Sequence, residues 1–428
     1  MINLGSLLLV LAMSDLPLEL ADKIVKHIPK DTHLGSPALK SASLVSPTFR
    51  IACQQRLFSV IYLRPTPTSS ETTPTPGEKL WNVCRRSPNI ATYIKAIQIY
   101  GGYGGDWLLK DTFLPMALRL IVEHGLIQHL EFVSLPRWYH VLPETKRAIA
   151  EICLSPSLLS LKLDDAPVAP IGWCGSSVKE LILESQSPET YHTRDHLREP
   201  NIISGQKPTF EYISLPAGHA FDSVDYLLNR GKVNVAKLRE LKVDGMMMSS
   251  TFEPLSRLTM ACGSSLESLS IEGSGRLEMP TLNCAHLLRL RSLSILFSSL
   301  AQVDLVWIVD ILKTFARPHL FLETVNLRIE YPASGTTEAN WQSFARTVSD
   351  HSLFLNMDTV RIEILWRDYG HQQLDDTSRT AAGVYRDQVE SYLLPFCSAA
   401  KFEVSLEKWY NFDRQLKWSW GVVEPGEA

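Results

Sequence analysis

One apolar residue, two variable ones, a second apolar residue, one variable and a third apolar residue form a pattern that recurs through most of this chain. It is spelled by Ile94, Ile97, Ile99; Ile127, Leu130, Phe132; Leu158, Leu161, Leu163; Val178, Leu181, Leu183; Phe210, Ile213, Leu215; and Leu238, Leu241, Val243. It continues as Leu266, Leu269, Ile271; Leu290, Leu293, Ile295; Leu322, Val325, Leu327; Met357, Val360, Ile362; and Ala399, Phe402, Val404. Eleven copies at a mean spacing of about 30 residues are too many for chance. In each copy the last two apolar positions lie two apart, as in Leu161-Lys162-Leu163, the spacing of a short strand with one buried face. A single such unit cannot bury its own apolar face, so the units must stack.

Between the strands, helical spacing runs from Trp107 to Glu123, Glu144 to Cys153, Phe221 to Arg230, Phe252 to Cys262 and Val303 to Ala316. A strand followed by a helix at each repeat predicts an α/β fold: an irregular leucine-rich-repeat solenoid over residues 81–428, with one parallel strand per repeat and helices on the convex side. The competing fold is a doubly wound α/β domain, in which strand and helix also alternate. The uneven intervals, from 20 to 42 residues, and the lack of a glycine-rich phosphate turn speak against it. Such arrays build recognition surfaces more often than active sites.

A formal net charge of -4 and no Lys/Arg-rich run give no field for wrapping nucleic acid. The seven cysteines, at 53, 84, 153, 174, 262, 284 and 397, are never closer than 21 residues and are odd in number. With no Asn-x-Ser/Thr acceptor, this predicts a reduced, intracellular protein whose thiols are small core residues. Leu7 to Leu11 is a dense apolar run, but Met1 to Ala12 holds no Lys or Arg, and the run is too short to span a bilayer. Residues 1–13 are read as a leader outside the fold, with Met13 as the alternative start.

Residues 14–63 predict a small helical module. Pro17 suits a first helical turn, and Leu16, Leu20, Ile24 and Ile28 follow at four-residue steps along one face. Pro37 opens a second helix with Leu39, Ala42, Leu44 and Val45, and Ser46-Pro47 reads as N-cap and first turn of a third through Leu57. Three short helices make a marginal core, so the module is expected to dock against something larger.

These residues resemble an F-box, in the form common in large families of mushroom-type fungi. The resemblance rests on Leu16-Pro17-Leu18-Glu19-Leu20, the stripe through Ile24 and Ile28, Leu44-Val45-Ser46, and Arg56-Leu57-Phe58 leading into the strand Val60 to Leu63. The chain departs from the family at Pro47-Thr48-Phe49, where a basic residue and tryptophan are usual, and in the longer break from Pro29 to Ser36. An F-box followed by leucine-rich repeats is a combination for which the family is known. It implies a non-enzymatic substrate receptor of a cullin-RING (SCF-type) ubiquitin ligase, acting in the cytoplasm or nucleus. Its F-box would bind the Skp-type adaptor, and its repeats a protein substrate. By resemblance, Leu16, Pro17, Leu20, Ile24, Leu44 and Val45 meet the adaptor as an apolar helix face laid into a groove. The reading from a different class is a repeat scaffold for protein assembly with no ligase.

Residues 64–80, rich in proline, serine and threonine, read as a linker or loop open to proline-directed phosphorylation. Polar interruptions at Gln186 to Thr209, Tyr331 to Asn340 and Arg367 to Gly383 read as surface loops between repeats. No hydrolase elbow, phosphate loop, His-Glu-x-x-His or Cys-x-x-Cys motif is present, and neither metal nor cofactor is expected. The glycines from Gly101 to Gly105 are a turn between strand and helix, since Trp107 stands where a nucleotide fingerprint needs its last glycine. His192 and His196, near Glu189 and Asp195, have ligand spacing only on a helix, and their polar, proline-flanked stretch reads as a loop. Trp409, Tyr410, Phe412, Trp418 and Trp420 predict an aromatic cap on the last repeat. On the outward side of the strands, Lys162, Asp164, Lys242, Asp244, Glu272, Arg328, Arg361 and Glu363 are the residues predicted to meet a protein substrate, with Glu180, Glu184 and Glu330 beside them.

Overall fold

The computed structural model describes residues 16–28, 35–65, 73–101, 106–135, 138–184, 207–217, 220–230, 233–245, 249–273, 280–297, 305–315, 318–331, 337–367, 372–396 and 401–409. They form a mixed α/β structure with twelve strands, each described pairing parallel and between neighbours in sequence, and thirteen α-helices. The chain divides into two compact units, residues 1–178 with 192–208, and residues 179–191 with 209–428.

The first unit begins with three helices, α1 (Leu18–Lys26), α2 (Gly35–Ala42) and α3 (Pro47–Phe58). Pro17 starts α1, and its carbonyl accepts the N–H groups of Leu20 and Ala21, both at 3.1 Å. The Ser46 side chain accepts the Phe49 N–H at 3.3 Å, which together with Pro47 in the first turn fixes the start of α3. Ala21, Val25, Leu39, Phe49, Ala52 and Cys53 form a closed core, against which Leu16, Ile28, Ala42, Val45 and Leu57 pack.

Helix α3 runs directly into β1 (Val60–Leu63). Then come α4 (Pro76–Arg86), α5 (Asn89–Tyr93), β2 (Ala96–Tyr100), α6 (Asp106–Lys110), α7 (Leu114–His124), β3 (His129–Val133), α8 (Pro143–Leu154) and β4 (Ser160–Asp164). Strands β1 to β4 pair in order, so β1, expected inside the helical module, is in register with the repeat strands. Helix α3 packs on α5, α4 on α7 and α7 on α8.

The single helix expected across 107–123 is broken at Asp111. This buried carboxylate accepts the N–H groups of Phe113 and Leu114 through Oδ1, each at 3.0 Å, and that of Gly77 through Oδ2 at 2.7 Å. One side chain therefore caps α7 and ties the first turn of α4 to it. Only glycine fits opposite, since a Cβ at position 77 would lie 2.5 Å from Asp111 Oδ2.

The second unit holds β5 (Glu180–Glu184), β6 (Tyr212–Pro216), α9 (Ala220–Asp225), β7 (Glu240–Asp244), α10 (Ser249–Cys262), β8 (Ser268–Gly273) and β9 (Ser292–Phe297). It ends with α11 (Leu305–Thr314), β10 (Thr324–Tyr331), α12 (Glu338–Val348), β11 (Thr359–Arg367), α13 (Gln372–Leu393) and β12 (Lys401–Trp409). Strands β5 to β12 again pair in sequence order. A doubly wound sheet reverses its order at a switch point, and neither run of strands does. The repeat positions Leu181, Ile213, Leu241, Leu269, Leu293, Val325 and Val360 are all buried, whereas their counterpart Phe402 in β12 is half-buried.

Three stretches expected as loops carry helix or strand. Helix α4 starts at Pro76, with the Thr75 hydroxyl accepting the Glu78 N–H at 3.1 Å, so the linker read over 64–80 is helical at its end. Helix α13 starts at Gln372 inside the loop read from Arg367 to Gly383. Within the interruption from Tyr331 to Asn340, Tyr331 ends β10 and Thr337 caps α12. The leader 1–13, Gly102 to Gly105, most of Gln186 to Thr209 with His192 and His196, Cys397, and the aromatics Tyr410, Phe412, Trp418 and Trp420 lie outside the described residues. Among the described residues, no helix is long and apolar enough to cross a membrane.

Candidate interaction surfaces

The three N-terminal helices close their core around Ala21, Val25, Leu39, Phe49, Ala52 and Cys53, leaving several large apolar side chains outside. Leu20 is 46% exposed, Ile24 42% and Leu44 80%, with Leu18 and Ile51 also exposed. The four-residue stripe read as one face of α1 is thus split between core and surface. Ala21 and Val25 point into the core with Leu16 and Ile28 against it, while Leu20 and Ile24 point outward. Of the six residues expected at an adaptor, Leu20, Ile24 and Leu44 are exposed apolar groups. Pro17 is exposed at the start of α1, and Leu16 and Val45 pack on the core. For so small a module, exposed leucines and isoleucine are a costly display unless something covers them.

On the first unit's strand face, Tyr62, Gln98, Glu131 and Lys162 stand in one row across β1 to β4. The expectation that Lys162 is displayed fails: it is 5% exposed, and its Nζ lies 3.3 Å from Oε1 of the equally buried Glu131. A buried ammonium requires a carboxylate close by, and Glu131, its register partner on β3, supplies it. Asp164, one row on beside Val133, is half-buried.

In the second unit the charged residues are engaged with one another. Lys242 Nζ lies 2.9 Å from Asp244 Oδ1, and the Ser214 hydroxyl donates to Asp244 Oδ2 at 3.0 Å. Glu272 is buried, contrary to expectation, and accepts the Gly245 N–H at 2.8 Å. Arg328 Nε donates to Glu363 at 2.6 Å and Arg361 Nε to Glu403 at 2.9 Å, each pair directly opposite across neighbouring strands. Hydrogen bonding from Lys401 first, then Arg361, holds the Glu403 carboxyl below its usual range. Burial, reinforced by Glu240 and Asp244, raises the Tyr212 phenol. Burial also raises Glu240 itself. Glu330 is buried too, and Glu180 and Glu184 are partly exposed at the ends of β5.

A second row was not anticipated from the sequence. Lys179, Glu211, Arg239, Glu267, Arg291 and Glu323 each directly precede a strand, and their charges alternate in sign. Lys179 pairs with Glu211 at 3.1 Å, Arg239 with Glu267 at 2.8 Å and Arg291 with Glu323 at 3.4 Å. Their backbones form a parallel ladder, each N–H donating to the preceding member's carbonyl at 2.7–2.9 Å. The available signal was the residue after the first apolar position of each repeat, as in Leu238-Arg239, Leu266-Glu267 and Leu290-Arg291.

The chain matches no protein-family model and no curated protein.

The thiols sit in the interior. Cys53, Cys84, Cys153, Cys174, Cys262 and Cys284 are free and buried. Cys153 and Cys174 meet, and that hydrogen bond, with burial, drives the Cys174 thiol well above its ordinary value. Burial likewise pushes Cys84 to about 11 and Cys262 and Cys284 to about 12. Thiols held protonated this way are packing residues rather than nucleophiles. Among the described residues no three His, Cys, Asp or Glu side chains converge as a metal site. The described surfaces comprise an apolar helical face and strand rows of ordered polar groups.

Proposed function

We propose that this protein is a substrate-recognition subunit of a cullin-RING (SCF-type) ubiquitin ligase, with an F-box at residues 14–63 and a leucine-rich-repeat array carrying the protein substrate. The observation that carries the reading is the outward display of Leu20, Ile24 and Leu44 from a three-helix module whose core is already closed by other residues. Apolar side chains in that position suit a helix-in-groove contact with a Skp-type adaptor. The repeated parallel strands support the second half, because stacked units present long rows of side chains to a partner. Such a receptor performs no bond chemistry. It holds a substrate lysine near a ubiquitin-charged enzyme and acts through effective concentration.

The test is co-purification of the full chain with a Skp-type adaptor, beside a variant carrying Leu20→Asp, Ile24→Asp and Leu44→Asp. These three side chains are exposed, so the variant is expected to keep the wild-type thermal unfolding midpoint and lose the adaptor. A folded wild-type chain that does not bind any Skp-type adaptor sinks the ligase reading and leaves the repeat scaffold as the function to pursue.

A further inference from the structure

Among the cations on the described strand faces, Lys162, Lys242, Arg328, Arg361 and Lys401 each lie within ion-pair distance of a carboxylate. Arg64, the residue directly after β1, is different. Among the described residues no carboxylate pairs with it, and its guanidinium lies on aromatic rings, 3.9 Å from the centroid of Tyr100 and 5.3 Å from that of Tyr62.

The platform beneath it is fixed at both ends. The Tyr100 hydroxyl donates to Oε1 of the buried Gln98 at 2.9 Å, and its backbone carbonyl accepts the Trp107 indole N–H at 3.0 Å. Tyr62 and Gln98 are register partners on adjacent strands. A guanidinium stacked on a held ring has lost much of its rotamer freedom before any partner arrives, and its N–H fork stays available at the edge. Arg64 is exposed, and so is the Tyr62 ring at 47%. Arginine and tyrosine are the residue types that dominate binding hot spots, and here they occur together, with no carboxylate on the guanidinium among the described residues.

We propose that Arg64, on its Tyr62/Tyr100 platform, reads a single carboxylate in an acidic segment of the protein that docks at the β1 edge of the first unit's strand face, the exposed Tyr62 ring taking the apolar neighbour of that carboxylate. This rests on the reading that the repeats bind a protein. Charge complementarity selects the ligand. Lys162, three strands away on β4, is already neutralised by Glu131, so among the described residues of this face one guanidinium is offered rather than the cluster that a phosphate dianion gathers.

The experiment uses the full chain, immobilised, and a displayed library of random twelve-residue peptides as the probe, on the order of a small linear epitope. Recovered peptides are measured by fluorescence anisotropy against wild type, Arg64→Met and Arg64→Lys, all with unchanged thermal unfolding. The expected result is peptides sharing an Asp or Glu and weakening at least about tenfold on Arg64→Met, the loss that one charge-assisted hydrogen-bonded pair carries. The same weakening should follow conversion of the acid to its amide, the two losses should not add, and Arg64→Lys should recover only part of the affinity. Failure to recover any peptide, or recovery only of peptides indifferent to Arg64→Met, overturns the proposal. So does a phosphoserine version that outbinds the acidic one. Adaptor co-purification reads Leu20, Ile24 and Leu44 alone. Loss there with Arg64-dependent peptides retained sinks the ligase reading and keeps this one, and the reverse pattern does the opposite.

Discussion

Arg239 Nη2 donates to Glu267 Oε2 at 2.8 Å across 28 residues of chain, joining the turn before β7 to the turn before β8. The pair is exposed, so its role is to favour one register between neighbouring units rather than to carry much of the stability. The Arg239 hydrogen bond lowers the Glu267 carboxyl below its ordinary value. That stabilisation is present above the unfolded carboxylate pKa and is lost as pH falls through the lowered folded value. Urea unfolding is expected to show a small destabilisation for Glu267→Gln at neutral pH and low salt. The difference should shrink at high salt and vanish in acid.

Asp111→Ala removes the acceptor of three backbone N–H groups at a buried site. It is expected to cost about 2–4 kcal/mol in the unfolding of the first unit, because charged acceptors are worth more than neutral ones and the Gly77 and Leu114 donors stay buried. Gly77→Ala should be destabilising through the same side chain, by pushing it away. Thermal unfolding of both variants is the measurement, and an Asp111→Ala protein as stable as wild type would refute the cap.

The Glu131–Lys162 pair predicts an asymmetry. Lys162→Met alone leaves a buried carboxylate without its ammonium and should cost about 3–5 kcal/mol, while Glu131→Leu combined with Lys162→Met should recover most of that loss. Chemical denaturation of the single and double variants decides it. Additive losses would mean that the two charges are not coupled.

His129 is pulled down from 6.5 to about 4, by burial first and then by the charge of Lys95. A histidine held neutral in the fold binds its proton more readily when unfolded. Its contribution is therefore present above the unfolded value and is lost as pH drops from 6.5 toward about 4. The midpoint of thermal unfolding should fall across that window in the wild type and fall less in His129→Gln.

The strands were legible in the sequence because a two-residue alternation at Leu161 and Leu163, or Leu241 and Val243, leaves one arrangement that buries both side chains. All eleven repeats carry a strand in the structure, and β1 joins them from the stretch assigned to the helical module. Helix limits were less legible where polar side chains make the decision. Asp111 cuts one helix into two through hydrogen bonds to residues that no periodicity marks, and α13 begins in a polar stretch without an apolar stripe. Exposure was the hardest property to read. Lys162 and Glu272 carry charges and stand on the expected face, yet each is buried beside a group supplied by another strand or turn. On α1, the apolar stripe contains both a core side and a displayed side, and only the position of α3 separates them.

Within each unit the strands pair only with their immediate neighbours in sequence, up to the pairing of Thr359 with Lys401. A gene coding for such a chain can duplicate or delete one strand-and-connection segment internally without rerouting the rest, and the join is an edge like the one it replaces. The length of the array, and with it the extent of its strand face, then becomes heritable in whole units.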